Sequence, residues 1–285
     1  QVVSPEGGRT PAPHRPAPAM LLPRLGRQMA RALPPGGAGT TALRRGAAAP
    51  GQRAGPRIDV DQERRIIEIS PAEPSRHSAS CIFMHGLGDT ANGFAGVCHA
   101  YAMDMPYMRF VLPTAPTTPV TMNGGMEMPS WYDIVGLDDR SLESCTGIEA
   151  SRSTVLGLLE REASRVGYER CILAGFSQGG AMALFVGLQL QHRLAGILAM
   201  SAYLPKPAEV TLSSEALGTP VLQCHGESDA MVRFGLARET EKLLLARGMR
   251  TCAFNAYEDL GHSVSDEEIQ DVRDWLAEVA PAPDS

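Results

Sequence analysis

No stretch of this sequence approaches the roughly 18 consecutive apolar residues that a membrane-spanning helix requires. Its longest apolar runs are short and broken by Gly, Pro or charge. Cysteine is sparse and scattered: Cys81, Cys98, Cys145, Cys171, Cys224 and Cys252 form no CxxC pair and no metal-ligand spacing. That argues against a disulfide framework and against a metal site. Cys81 and Cys171 sit inside apolar runs, so reduced core thiols in a non-oxidising compartment are expected. No internal repeat is visible. Lysine is missing from residues 1–57 and acid nearly so, with nine Arg against the single Glu6 for a net of +8. The rest of the chain holds 17 basic and 31 acidic residues, a net of −14. An acidic body repels phosphate backbones, which excludes nucleic acid as a general partner.

What is present divides in two. Residues 1–57 are rich in Pro, Ala, Gly and Arg without a sustained period. Such a segment buries too little apolar area to offset its ordering entropy, and disorder is expected. After Met20 it carries Arg24, Arg27, Arg31, Arg44 and Arg45 with no acid before Asp59 and no apolar secretory core. That pattern resembles an organelle transit peptide, and a plain disordered tail is the other reading. Cytoplasmic residence is expected, with mitochondrion or plastid the alternative if 1–57 is a transit segment. With 44% hydrophobic and 20% charged residues over 285 positions, the remainder suits a globular domain, placed at 58–283.

Within it, apolar runs at 66–69, 80–84, 108–112, 171–174, 196–200, 220–223 and 251–256 read as strands. Helical patterns at 92–103, 147–166, 178–190, 233–247 and 266–279 lie between several of them. The last opens on Ser265 and Glu268, the spacing of a capping box that satisfies two orphan amides. This alternation predicts an α/β fold, a mostly parallel sheet with helices on both faces.

Gly175-Phe176-Ser177-Gln178-Gly179 follows an apolar strand and precedes a helix. That is the setting of a nucleophile elbow, in which a strained turn lifts the Ser hydroxyl clear of the sheet. Gly175 and Gly179 are expected because a Cβ at either would strike the opposite limb of the turn. A serine hydroxyl needs a base to take its proton, and the base needs an acid to orient it. In the order this fold uses, Asp229 follows the strand at 220–223 and His262 follows the one at 251–256. Asp259 and Glu227 are rival acids: the first shares the histidine's own loop, the second sits in the wrong half of its turn. His225 is read as a brace for the acid loop and His192 as a surface cap. Donors for a tetrahedral oxyanion are expected in the Gln178 amide and in the His85-Gly86-Leu87-Gly88 loop, where Leu87 supplies the second N–H. His85 and Asp89 are taken to hold that loop's shape.

Together these segments resemble the acyl-protein thioesterase/lysophospholipase family of small carboxylesterases, which belongs to the α/β-hydrolase fold. The matching stretches run from Phe83 to Thr90 (FMHGLGDT), Leu112 to Pro116 (LPTAP), Thr121 to Asp133 (TMNGGMEMPSWYD), Gly175 to Gly180 (GFSQGG) and Leu222 to Gly226 (LQCHG). Gly261-His262 completes the set. The resemblance implies Ser177, Asp229 and His262 as triad, Leu87 and Gln178 as oxyanion donors, and no cofactor. It implies that Met122, Met126, Met128 and Trp131 lie on a loop lining an acyl channel, where soft apolar side chains suit a long flexible chain. S-acylated proteins or lysophospholipids are then the expected substrates, with transient membrane contact and a monomer or weak homodimer. A short-chain carboxylesterase and a catalytically silent binding module of the same fold are the competing readings. A lipid-binding peripheral membrane protein is disfavoured by the acidic core. The family usually carries Pro where Ala230 and Arg233 stand, and close relatives carry Trp at Tyr203. The first two departures are expected to loosen the acid loop.

Overall fold

The computed structural model of the chain describes residues 54–137 and 143–283. In chain order the elements are β1 (Arg57–Asp61), β2 (Ile66–Ser70), β3 (Ala79–Met84), α1 (Asn92–Asp104), β4 (Met108–Pro113), β5 (Thr117–Val120) and β6 (Met126–Pro129). Then come α2 (Ile148–Val166), β7 (Cys171–Phe176), α3 (Gln178–Gly187), β8 (Gly196–Met200), β9 (Val221–Gly226), α4 (Phe234–Ala246), β10 (Cys252–Tyr257) and α5 (Asp266–Val279). Eight strands form one sheet in the order β1-β2-β4-β3-β7-β8-β9-β10. Every pairing from β4 to β10 is parallel, while β2 runs antiparallel to both β1 and β4. The expected mostly parallel α/β sheet is the one observed.

Period-two alternation explains why the central strands are mostly apolar. In β3, Ile82 and Met84 face a core shared with α2, α3 and α4, whereas Cys81 and Phe83 face a second core with α1 and α5. Both faces are covered, so both sets of alternating positions are mostly apolar, and the polar exception Ser80 is bonded to His77 and Glu162. Helix α3 lies in the middle of its layer with every residue buried, hence its unrelieved apolar sequence. It ends at Gly187, three residues short of the expected 190.

Three elements depart from the sequence reading. β1 begins at Arg57, one residue inside the segment expected to be disordered; residues 1–53 of that expectation lie outside the described residues. Its five residues are all exposed at the sheet edge, so no burial pattern announces it. β5 and β6 pair as a separate hairpin, turning through Gly124 and Gly125 at φ of 68° and 79°. The expected capping box is half formed. The Ser265 hydroxyl accepts from the Glu268 amide at 3.1 Å, but the Glu268 carboxyl is buried with no partner of hydrogen-bond geometry. Burial pushes that carboxyl up to about 8, against the lowering influence of the Ser265 backbone and with Asp271 adding to the rise. Among the described residues, no helix is long and apolar enough to cross a membrane.

Candidate active site

All the parallel strands present their carboxyl ends at one edge of the sheet, and the chemistry-bearing loops gather there. Ser177 follows β7 directly at φ 53° and ψ −121°, a strained conformation for a residue with a side chain. Its amide is held by the Met200 carbonyl at 2.8 Å, which ties the elbow to β8. The two elbow glycines are required for different reasons. A Cβ on Gly175 would stand 2.3 Å from the Gly179 carbonyl carbon, across the turn as expected. A Cβ on Gly179 would meet not the opposite limb but the end of β3, 2.1 Å from the Met84 carbonyl oxygen. The second glycine therefore lets the elbow pack against the strand that leads into the oxyanion loop.

The triad is assembled. The His262 Nε2 lies 3.0 Å from the Ser177 Oγ, and its Nδ1 lies 2.7 Å from the Asp229 Oδ2. The other Asp229 oxygen accepts from the Met231 and Val232 amides, each at 2.9 Å. A carboxylate only accepts, so Nδ1 carries the imidazole proton and Nε2 is free to receive the proton of Ser177. Asp229 is 5% exposed, which concentrates its field on the imidazole. The Phe176 ring packs on His262 at 4.9 Å between centroids. Asp259 and Glu227 are exposed, and Asp229 holds the imidazole in their place.

His225 braces the acid loop, as read from the sequence. Its Nε2 donates to the Val232 carbonyl at 2.7 Å, and burial lowers its pKa and favours the neutral ring beside Asp229. Together with the two amides on Asp229, this bond ties down the loop that carries Ala230 and Arg233. His192 stacks on Tyr168 at 4.0 Å, away from the triad's contacts. Tyr203 donates to the Glu143 carboxylate at 2.8 Å, tying the end of β8 to the segment before α2.

The residues expected to supply oxyanion donors lie beside the nucleophile. Gln178 opens α3, so its amide stands at a helix N-terminus. The loop of Leu87 rests against the elbow: a Cβ on Gly86 would lie 3.3 Å from the Ser177 Cβ. Among the described residues, neither the Leu87 nor the Gln178 N–H donates to a backbone carbonyl.

The four residues expected to line an acyl channel differ widely in exposure. Trp131 is 2% exposed, and its indole N–H donates to the His85 carbonyl at 2.9 Å. Its indole braces the His85–Gly88 loop. Met128 is also buried, and Met122 packs half-buried against the core. Met126, on the hairpin, is 62% exposed. A long loop carrying Met reads the same in sequence whether its side chains fill gaps or line a pocket, and here two of the four positions fill the core. Sequence reasoning also missed the Gln178 side chain. Its Oε1 accepts from the Trp131 amide at 2.9 Å and its Nε2 donates to the Tyr132 carbonyl at 2.7 Å. No local signal marks a contact made across 47 residues of chain.

Comparison with known proteins bears directly on this arrangement. Residues 66–280 match the family described as Phospholipase/Carboxylesterase. Acyl-protein thioesterase 1 of Neurospora crassa is 39% identical over 219 residues, covering 73% of this chain and 89% of that protein. The protein of the same name from Mycosarcoma maydis is 35% identical over 235 residues, covering 76% and 98% respectively. Among solved structures, acyl-protein thioesterase 2 of Zea mays superposes with a TM-score of 0.66 at 27% identity, covering 76% of this chain and 99% of that one. Arabidopsis thaliana SOBER1 gives a TM-score of 0.65 at 29% identity, covering 71% and 99%.

Proposed function

Because the chain belongs to the phospholipase/carboxylesterase family of α/β-hydrolases, we propose that it is a serine hydrolase releasing fatty-acyl groups from protein cysteine thioesters, with lysophospholipids as a second substrate class. The observation that carries the chemistry is the unbroken contact from Ser177 through His262 to Asp229. The thioester assignment draws on the likeness to the acyl-protein thioesterases.

The geometry performs the reaction in two halves. His262 Nε2 takes the Ser177 proton as Oγ attacks the acyl carbonyl carbon, and the carbonyl electron pair moves to oxygen. The Leu87 and Gln178 amides receive that oxyanion, each such donor being worth about 3–4 kcal/mol. The imidazolium, steadied by the Asp229 carboxylate, returns its proton to the departing thiolate or alkoxide sulfur or oxygen. An ester between Ser177 and the acyl group remains. Water, deprotonated by the same imidazole, repeats the sequence and frees the fatty acid.

The deciding experiment is kinetic. Hydrolysis of matched thioesters and oxyesters is followed as the acyl chain lengthens from acetyl to palmitoyl. A rise in kcat/KM toward palmitoyl on thioesters supports the proposal, and a flat or falling profile overturns it in favour of a short-chain carboxylesterase. The burial of Met128 and Trp131 is the observation that favours that second reading. Cytoplasmic residence forms part of the proposal; a fluorescent fusion of residues 1–57 that enters an organelle would replace it.

A further inference from the structure

We propose that the His85 imidazole is the positioning residue that sets the oxyanion hole, by fixing the orientation of the Gly86–Leu87 peptide. His85 is 2% exposed, and both ring nitrogens are engaged by backbone. Nε2 lies 3.0 Å from the Ala115 nitrogen, an N–H that can only donate, so Nε2 is the unprotonated acceptor. Nδ1 therefore carries the proton and donates to the Gly86 carbonyl at 2.7 Å. The backbone alone dictates this tautomer.

That carbonyl belongs to the same planar trans unit as the Leu87 N–H, and in such a unit the two point in opposite directions. Holding the Gly86 oxygen toward the ring aims the Leu87 N–H the other way. A pin is needed here because Gly86 leaves its side of the peptide free to rotate. The neighbouring peptides are held by other means. The His85 carbonyl accepts from the Trp131 indole at 2.9 Å, and the Gly88 amide donates to the Pro129 carbonyl at 2.9 Å. The Asp89 amide adds a longer bond to the Gly86 oxygen at 3.2 Å. Trp131 is in turn clamped by the Gln178 side chain, so the residue whose amide forms one half of the hole also steadies the support of the other half.

The inference rests on the acyl-enzyme reading of the site, and its test is independent of the preferred acyl chain. Two substitutions split the two bonds of the ring. In His85→Asn, the amide nitrogen occupies the place of Nδ1 and keeps the donor to Gly86 while losing the acceptor for Ala115. In His85→Gln, the side-chain oxygen reaches the place of Nε2 and keeps that acceptor while losing the donor. Steady-state kinetics with a short-chain nitrophenyl ester are measured beside thermal melting of each full-length variant. The expected result is a fall in kcat of roughly a hundredfold for His85→Gln, the loss of one oxyanion donor, with KM changed less than about threefold. His85→Asn is expected to retain kcat within about tenfold of wild type even where it melts lower. Equal losses in both variants, or wild-type kcat in His85→Gln, would overturn the proposal. A flat acyl-length profile would instead count against the thioesterase reading and leave this comparison intact.

Discussion

Replacing Asp229 by Asn is the sharpest perturbation the site offers, because the backbone decides how the new side chain must sit. One oxygen of the native carboxylate accepts from two amides, those of Met231 and Val232. An Asn that placed its NH2 there would orphan the buried Val232 N–H, at about 1–3 kcal/mol, and the part-buried Met231 N–H at less, so its oxygen stays on that side. The NH2 then faces His262 Nδ1, which must become an acceptor. The imidazole proton moves to Nε2, against the Ser177 hydroxyl, and the lone pair that should take the Ser proton is gone. The reversed arrangement, which alone would restore the base, is at least about 1–3 kcal/mol higher. Loss of the negative charge 2.7 Å from the imidazolium adds to this. An Asp-to-Asn change in a Ser-His-Asp triad of comparable geometry lowers kcat by about 10⁴, or about 5.5 kcal/mol, and the same scale is expected here. The assay is ester hydrolysis under saturating substrate, with circular dichroism to confirm an unchanged fold. Asp259→Asn is the control, expected within about twofold of wild type, since among the described residues no hydrogen bond or ion pair joins that exposed residue to His262 and Asn tolerates its φ of 57°. A tenfold or smaller loss in Asp229→Asn, or a larger loss in the control, would refute the assignment of the acid.

Gly179→Ala forces a Cβ to within 2.1 Å of the Met84 carbonyl, and backbone on both sides must shift. A destabilisation of about 1–3 kcal/mol is expected, with kcat reduced more than tenfold because the displaced strand leads into the oxyanion loop; melting and kinetics together check it, and unaltered kcat would contradict it. Glu268→Gln should change how stability depends on pH. The folded carboxyl titrates at about 8 against an ordinary value of 4.5, so between those values the folded state holds a proton the unfolded state has released. Native stability therefore falls with rising pH across that window, by about 1.4 kcal/mol per unit, and the benefit is gone once pH passes the folded value. Urea titrations of wild type and variant at pH 5 and pH 8 should show this slope only in wild type, and parallel behaviour would show that the buried carboxyl is not the group responsible.

Much of this site was legible because its constraints are local. The elbow needs Gly at 175, an apolar strand before it and a helix after it, all within a dozen residues. The acid follows β9, buried along its whole length, and the histidine follows the edge strand β10, which is only partly buried but still carries an apolar run. β3, β7 and β8 were readable because, covered on both faces, they carry almost only apolar side chains. β1 was not, since an exposed edge strand pairs through its backbone and leaves no mark on side-chain pattern. The β5–β6 hairpin was hidden by Pro119 and Pro129, although the adjacent Gly124 and Gly125 are a turn signal of the kind hairpins use. The supports of the oxyanion loop were beyond reach for a different cause. The bonds of Trp131 to His85 and of Gln178 to Trp131 join positions 46 and 47 residues apart, and only the packed sheet brings them together.

Ser177 carries the acyl group between the two halves of the reaction. Rapid acid quench of the enzyme with a palmitoyl thioester, followed by peptide mass spectrometry, tests this directly. The expected result is a palmitoyl adduct on the peptide containing Ser177, formed before steady turnover and missing from Ser177→Ala, which is also inactive. Turnover without an adduct at that serine, or activity retained by Ser177→Ala, would contradict it.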